Sequence, residues 1–86
     1  MNKHFINSLK RKLLSNKYDD FQRGLIKEYL TIYEYISLLK STIDFLEISA
    51  LSGIGQDTYE KMKQDIITSK GELDLIHIRL EKFNII

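Results

Sequence analysis

Two histidines are the residues of this chain best suited to acid–base or metal chemistry. His77 has Asp74 three residues before it and Glu81 four residues after it, so one imidazole and two carboxylates share a side of a helix. Such a trio could bind a metal ion weakly, whereas a zinc or acid–base site normally combines several His, Cys and carboxylate groups. His4 has no such neighbours. We therefore predict structural or surface roles for both histidines and no metal site.

Paired carboxylates and a glycine-rich stretch are the other candidates for chemistry. Helix capping and compensation of helix dipoles explain the acid pairs Asp19/Asp20 and Glu72/Asp74. Ser52-Gly53-Ile54-Gly55 lacks the further Gly and the Lys of a phosphate-binding loop, and it follows a helix instead of a strand. No nucleophile, base and orienting group can be assembled. The sequence predicts a protein that is not an enzyme, with no catalytic residue, no cofactor and no small-molecule substrate.

Positive charge is concentrated at the N-terminus. Residues 1–17 contain 5 basic residues and no acid, while residues 18–86 contain 8 basic and 12 acidic residues. This segment could contact nucleic-acid phosphates, or lie on an anionic membrane with Phe5, Leu9 and Leu13 inserted. Alternatively, its apolar side packs on the rest of the domain. The candidate contacts to phosphates or to an acidic partner are Lys3, Lys10, Arg11, Lys12 and Lys17.

Hydrophobic periodicity predicts three helices in one domain, residues 1–86. A short basic amphipathic helix is expected at about residues 3–15, and long helices at about 20–51 and 57–84. Both long helices repeat apolar residues at alternating steps of four and three, which is the period of a coiled coil. The stripe of the second helix is Leu25, Tyr29, Ile32, Ile36, Leu39, Ile43, Leu46 and Ala50. The stripe of the third is Tyr59, Met62, Ile66, Ser69, Leu73, Ile76, Leu80 and Phe83.

Capping residues predict where the long helices begin. Asp19 with Gln22, and Asp57 with Glu60, have the spacing of a capping box, in which each side chain bonds a free backbone amide at a helix start. The glycine-containing segment 49–56 predicts the turn between the long helices. Because this connection is short, we expect the two helices to be antiparallel neighbours.

Gly71 lies within the predicted third helix, where Gly is about 1 kcal/mol less favourable than Ala. Ser69-Lys70-Gly71-Glu72 also has the spacing of a capping box, which would divide the helix in two. The apolar stripe keeps its phase across this point, so we predict one continuous helix. Gly71 would then mark a bend or a close approach by the first helix.

The predicted fold class is all-α: an antiparallel, coiled-coil-like helical hairpin with a short N-terminal amphipathic helix, forming a three-helix bundle or a dimeric bundle. The second helix is apolar on several sides, and such a helix is normally buried by several neighbours. We expect a homodimer to cover these spare faces. The apolar residues outside the main stripe are Ile26, Leu30, Tyr33, Tyr35, Leu38, Phe45 and Ile48.

The leading functional hypothesis is a protein–protein interaction module. It would be a small inhibitor, adaptor or accessory factor, of the kind that phages or mobile elements encode, docking a helix face on a target protein. The expected interface residues are Tyr33, Tyr35, Leu38 and Phe45, because large amphipathic and apolar side chains anchor interfaces. The alternative function is binding of nucleic acid or an anionic membrane through residues 1–17.

Leu51-Ser52-Gly53 between two helices, followed by Tyr59, resembles the turn of the WXG- and LXG-type helical hairpins of type VII secretion systems. The resemblance covers roughly residues 25–83. It implies a small exported hairpin that dimerises. The chain differs from the WXG form in having no Trp and in carrying an additional basic N-terminal segment.

Composition gives weaker indications of compartment and origin. The chain has no Cys, so redox chemistry does not indicate a compartment, and it has neither a run of about 18 apolar residues nor the pattern of a secretory signal. We expect a cytoplasmic protein of the source or host cell. Abundant Ile, Leu, Lys and Asn with a single Ala and no Val are typical of AT-rich coding sequences, as in low-GC bacteria and phages.

Overall fold

A computed structural model of the chain describes residues 3–48 and 55–86. These residues form three helices: α1 (Lys3–Leu14), α2 (Asp20–Ile48) and α3 (Gln56–Lys82). Neither described range contains a strand. The prediction of an all-helical fold is confirmed, and most of the predicted turn lies outside the described residues. Within those ranges, no helix has the length and apolar character needed to cross a membrane.

The two long helices begin differently. At α2 the Gln22 amide donates to Asp19 Oδ1 at 2.8 Å and the Asp19 amide donates to Gln22 Oε1 at 3.0 Å, so the predicted capping box is confirmed. At α3 the N-cap is Gly55, which makes no side-chain cap. The predicted box of Asp57 and Glu60 is wrong because the helix begins before Asp57. Asp57 instead lies in the first turn of α3, where a carboxylate interacts favourably with the helix dipole.

The C-terminus of α3 is closed by a Schellman motif. Asn84 adopts a left-handed backbone conformation with φ 60°, which turns the chain out of the helix. The Asn84 amide then donates to the carbonyl of Glu81 at 3.2 Å, and the Ile85 amide donates to that of Leu80 at 2.9 Å. These bonds satisfy carbonyl groups that the helix end leaves without partners.

Because of this turn, Ile85 occupies the end of the core in place of Phe83. Phe83, the last residue of the predicted stripe, is exposed, whereas Ile85 is buried. The prediction for Phe83 was wrong because the stripe assumes that helical phase continues, and the chain leaves the helix at this residue. The Phe83 ring instead packs edge-on against Phe21, with ring centroids 4.9 Å apart.

The long helices contact each other along their apolar stripes. Apart from Phe83, the stripe residues whose side chains are described are buried or half-buried. The Tyr59 hydroxyl donates to the carboxylate of Glu47, so the start of α3 lies beside the end of α2. At the other end the rings of Tyr29 and His77 have centroids 6.5 Å apart.

The first helix packs on the first half of α2. Its Ile6 and Leu9 are buried in one cluster with Ile26 and Leu30 of α2. Its Phe5 ring meets the Tyr29 ring edge-on at 5.5 Å. The main cluster extends along α2 only as far as residue 36, and beyond it the buried residues within the described ranges belong to α2 and α3. The core therefore has three helices at one end and two at the other.

Gly71 lies in an uninterrupted α3, as the continuous stripe predicts. A Cβ atom added at Gly71 would meet nothing within 4 Å. The predicted close approach by the first helix is therefore wrong, because α1 packs against α2 and not against this part of α3.

Candidate protein interface

One side of α2 carries three large apolar side chains that are exposed in the described structure. Tyr35, Leu38 and Phe45 are 45%, 65% and 67% exposed. Their spacing of three and seven residues places them on the same side of the helix, away from the side covered by α1. We call this surface, with Thr31 and Thr42 between the larger side chains, the outer α2 face. Three neighbouring anchors of this size make it a candidate interface.

A hydroxyl on the outer α2 face is turned back to its own helix. Thr42 Oγ1 donates to the carbonyl of Leu38 at 2.9 Å. Because this hydroxyl already donates a hydrogen bond to its own helix, it does not require one to water or to a partner protein. On this face, the hydroxyl that lies between Leu38 and Phe45 is therefore already hydrogen-bonded.

Tyr33, the fourth predicted interface residue, is separated from the other three. It is half-buried and packs against the core cluster on the side of α2 that α1 covers. There it borders a recess of about 220 Å³, lined also by Lys3, Ile6, Asn7 and Lys10. Docking of α1 thus places Tyr33 within the domain, in contact with its own first helix.

An open groove runs beside the outer α2 face, between α2 and α3. Its volume is about 430 Å³. Ser69 is buried in its wall and occupies a position of the α3 stripe that elsewhere holds larger apolar residues. A small side chain at that position leaves space between the helices. The residues lining the groove are Thr31, Ile32, Tyr35, Asp65, Thr68, Ser69 and Glu72.

The groove is acidic. A smaller recess of about 150 Å³ shares Glu72 with it and is also lined by Glu28, Leu75, Ile76 and Arg79. Together the two recesses carry the carboxylates of Glu28, Asp65 and Glu72 against the single guanidinium of Arg79. We call the combined feature the acidic groove. Its excess of negative charge favours a basic partner.

The basic residues of the N-terminal segment divide into two groups. Lys3, Lys10, Arg11 and Lys17 are exposed. Lys12 is half-buried, and its Nζ donates to the carbonyl of Ile85 at 2.6 Å. Lys12 therefore has a role inside the domain, whereas the other four cations face solvent.

The apolar side of α1 faces inward. Leu9 is buried, and Phe5 and Leu13 pack against the core cluster. These are the residues that an interaction with an anionic membrane would have to insert. In the described structure they form part of the domain's own core, and their insertion would require α1 to leave α2.

His77 is held by ordinary surface and ring contacts. Its Nε2 lies 3.0 Å from Glu81 Oε1, one helical turn away. Its ring also packs near Phe5, with centroids 5.5 Å apart. In residues 3–48 and 55–86, no three His, Asp or Glu side chains gather in a way that could hold a metal ion.

Tyr29 borders a recess on the opposite side of the α2–α3 contact from the acidic groove. This recess has a volume of about 340 Å³ and is also lined by Lys70, Leu73 and Asp74. Burial raises the pKa of the Tyr29 hydroxyl above its ordinary value of 10.0, and the nearby Asp74 carboxylate and Tyr33 add to this effect. Burial and the neighbouring carboxylate thus favour the neutral form of Tyr29.

Comparison of the chain with protein-family models, with curated proteins and with solved structures gives no match. The motif Leu51-Ser52-Gly53, which carries the resemblance to type VII hairpins, lies outside the described residues. The described surface is therefore the basis for a functional proposal.

Sequence reasoning missed the acidic groove. Two signals for it exist in the sequence. Ser69 is the one small polar residue in the α3 stripe, which indicates a gap in the packing at that level. Glu28, Asp65 and Glu72 lie next to stripe positions, where side chains border the contact between two helices.

Proposed function

We propose that this protein is a non-enzymatic protein–protein interaction module, a small inhibitor, adaptor or accessory factor. Its architecture would be an antiparallel hairpin of α2 and α3, completed to a three-helix bundle by α1. Its binding surface would be the outer α2 face together with the acidic groove.

The exposure of Tyr35, Leu38 and Phe45 on one side of α2 is the observation that carries this proposal. Isolated exposed apolar residues are common on protein surfaces, but a contiguous group of large ones is typical of a binding site. Removing each of these side chains from water on binding would contribute about 1–3 kcal/mol. A few buried anchors of this kind dominate the binding energy of most protein interfaces.

The partner's chemistry follows from the neighbouring groove. The apolar anchors favour an amphipathic helix whose apolar side lies along α2. The carboxylates of Glu28, Asp65 and Glu72 favour Lys or Arg on the flank of that helix. We therefore propose a target protein that presents a basic amphipathic helix.

The test compares proteins retained from the source or host cell by three versions of the chain. These are the wild type, a variant with Leu38→Ser and Phe45→Ser, and a control with Leu14→Ser on α1. All three substituted side chains are exposed, so each variant should keep the helical content and thermal stability of the wild type. A retained protein is then purified and its affinity for each version is measured.

The proposal expects that the purified target binds the α2 variant at least about tenfold more weakly and binds the α1 control as tightly as the wild type. Raising the salt concentration should also weaken binding, because part of the attraction is between charges. An affinity unchanged by the two α2 substitutions would refute the proposed surface.

A further inference from the structure

The side of α3 that faces away from α2 carries a second apolar group. Ile67, Leu75 and Ile78 are 64%, 64% and 60% exposed. They lie at steps of eight and three residues, which places them on one side of the helix, opposite the buried stripe. This surface is separate from the outer α2 face. It needs its own explanation.

Gly71 lies at the centre of this apolar group, between Ile67 and Leu75. Its backbone is helical, it lacks the positive φ that would favour glycine, and a Cβ at this position would meet no atom within 4 Å. Ala is therefore sterically possible and more favourable in a helix interior. No contact within the described chain explains a glycine here. A glycine on an exposed helix face does allow a second backbone to approach closely.

Residues at equal distances on either side of Gly71 include one apolar pair and one pair of opposite charge. Ile67 and Leu75 lie four residues before and after it, and Gln64 and Ile78 lie seven residues before and after it. Glu60 and Lys82 lie eleven residues before and after it. All of these residues are exposed. At 3.6 residues per turn, offsets of four, seven and eleven return to the same side of a helix.

We propose that a second copy of this chain packs on the outer side of α3, with the two helices antiparallel and Gly71 against Gly71 of the other copy. A two-fold axis through this contact places every residue opposite the one at the same distance on the other side of Gly71. Ile67 then faces Leu75, and Gln64 faces Ile78. Glu60 faces Lys82, so opposite charges close both ends of the contact.

The charge pairing is what favours a second copy over another partner. Glu60 and Lys82 lie about 33 Å apart on one helix, too far to interact within a chain. In an antiparallel second copy, Glu60 of each chain lies opposite Lys82 of the other chain. The arrangement covers α3, including Leu75 at the border of the acidic groove, and leaves Tyr35, Leu38 and Phe45 exposed, so self-association can be tested independently of the proposed function. It also differs from the sequence-based expectation of a homodimer that covers α2.

The test is the solution mass of the full chain, measured by light scattering and sedimentation equilibrium over a wide concentration series. The mass of the wild type should rise from 10.2 kDa towards twice that value. Glu60→Lys alone and Lys82→Glu alone should each weaken self-association about tenfold, because each creates two like-charge contacts in the dimer. The double variant should restore the wild-type constant to within about twofold.

Two further variants separate this contact from general effects on folding. Lys40→Glu changes the charge of an exposed residue on α2 and should leave self-association unchanged. Gly71→Ala should raise the thermal stability of the monomer, because Ala favours the helix, and yet weaken self-association. A chain that stays monomeric throughout the series would overturn the proposal. So would single charge reversals without effect, or a double variant that associates no better than the single ones.

Discussion

The ammonium group of Lys12 donates a hydrogen bond to the backbone carbonyl of Ile85 at 2.6 Å, joining positions 73 residues apart. The last turn of α1 is thereby connected to the turn that closes α3. Gln22 adds a second link to the same turn, because its Nε2 donates to the carbonyl of Phe83 at 3.0 Å. Side chains of α1 and α2 therefore both donate hydrogen bonds to the turn that follows α3, so all three helices meet there.

Replacement of Lys12 by Ala should lower the free energy of unfolding by about 1–2 kcal/mol. The substitution removes a hydrogen bond from a charged donor to a carbonyl that is partly shielded from water. Lys10→Ala is the matched control, because Lys10 is exposed on the same helix and should change stability by less than about 0.5 kcal/mol. Urea unfolding followed by circular dichroism measures both values. Equal losses for the two variants would contradict the role given to Lys12.

The packing of α1 can be tested with two leucines of the same helix. Leu9 is 0% exposed and Leu14 is 85% exposed. Leu9→Ala should cost about 2–5 kcal/mol, because it leaves a cavity in the core, whereas Leu14→Ala should be nearly neutral. Thermal unfolding of both variants measures the difference. Similar stabilities would indicate that α1 is not docked on α2 in solution.

The sequence predicts the helices well because their periodicity is a local property of the chain. The stripe from Leu25 to Leu46 is buried or half-buried throughout, as its spacing requires. The error at the end of α3 occurs where a single residue changes the chain direction. The left-handed conformation of Asn84 removes Phe83 from the helical pattern and brings Ile85 into the core. An Asn just after the last periodic residue is a known stop signal that could have indicated this turn.

The candidate site was less predictable because it depends on which side of α2 the first helix covers. Tyr33 and Tyr35 are two residues apart, and both lie beside the main stripe. Docking of α1 on the side of Ile26 and Leu30 makes Tyr33 part of the domain and leaves Tyr35 at the surface. An amphipathic α1 could bind its own domain or a partner with the same residues. Its sequence therefore does not determine this choice.

The capping box at the start of α2 should be worth a measurable amount of stability. Asp19→Ala removes the acceptor for the Gln22 amide and should lower the free energy of unfolding by about 1 kcal/mol. Asp19→Ser should retain most of that stability, because Ser is also a good N-cap residue. Denaturant unfolding distinguishes the two variants. An Asp19→Ser protein as unstable as Asp19→Ala would show that the loss comes from charge and not from capping.

Asn84 provides a test of the Schellman motif. Because its φ is 60°, Asn84→Gly should be neutral or stabilising by up to about 1 kcal/mol, while Asn84→Ala should be destabilising by about 1 kcal/mol. The opposite order is expected for ordinary helical positions, where Ala is preferred to Gly. Melting temperatures of both variants provide the comparison. A more stable Ala variant would mean that residue 84 continues the helix.

Alkaline pH should destabilise the protein partly through Tyr29. The folded state raises the pKa of this hydroxyl, whereas the unfolded chain keeps the ordinary value of 10.0. Above pH 10 the unfolded state loses this proton first, so the contribution of Tyr29 to stability is complete below pH 10 and is lost as pH rises through the folded-state value. The Tyr29→Phe variant cannot ionise at this position. It should therefore lose less stability than the wild type over the roughly two pH units around this pKa, from about pH 9 to about pH 11. Identical pH profiles would exclude this contribution.

The change from a three-helix to a two-helix core along α2 has a consequence for amide hydrogen exchange. Beyond residue 36 the buried apolar side chains of the described ranges come from α2 and α3, so fewer described contacts oppose local opening there. Backbone amides around Ile43 and Met62 should exchange with deuterated solvent sooner than those around Ile26 and Leu80. Phe45 lies in the part of α2 that exchanges sooner, so a partner bound to it would slow exchange there. Exchange rates along one helix would then report binding without any label on the partner.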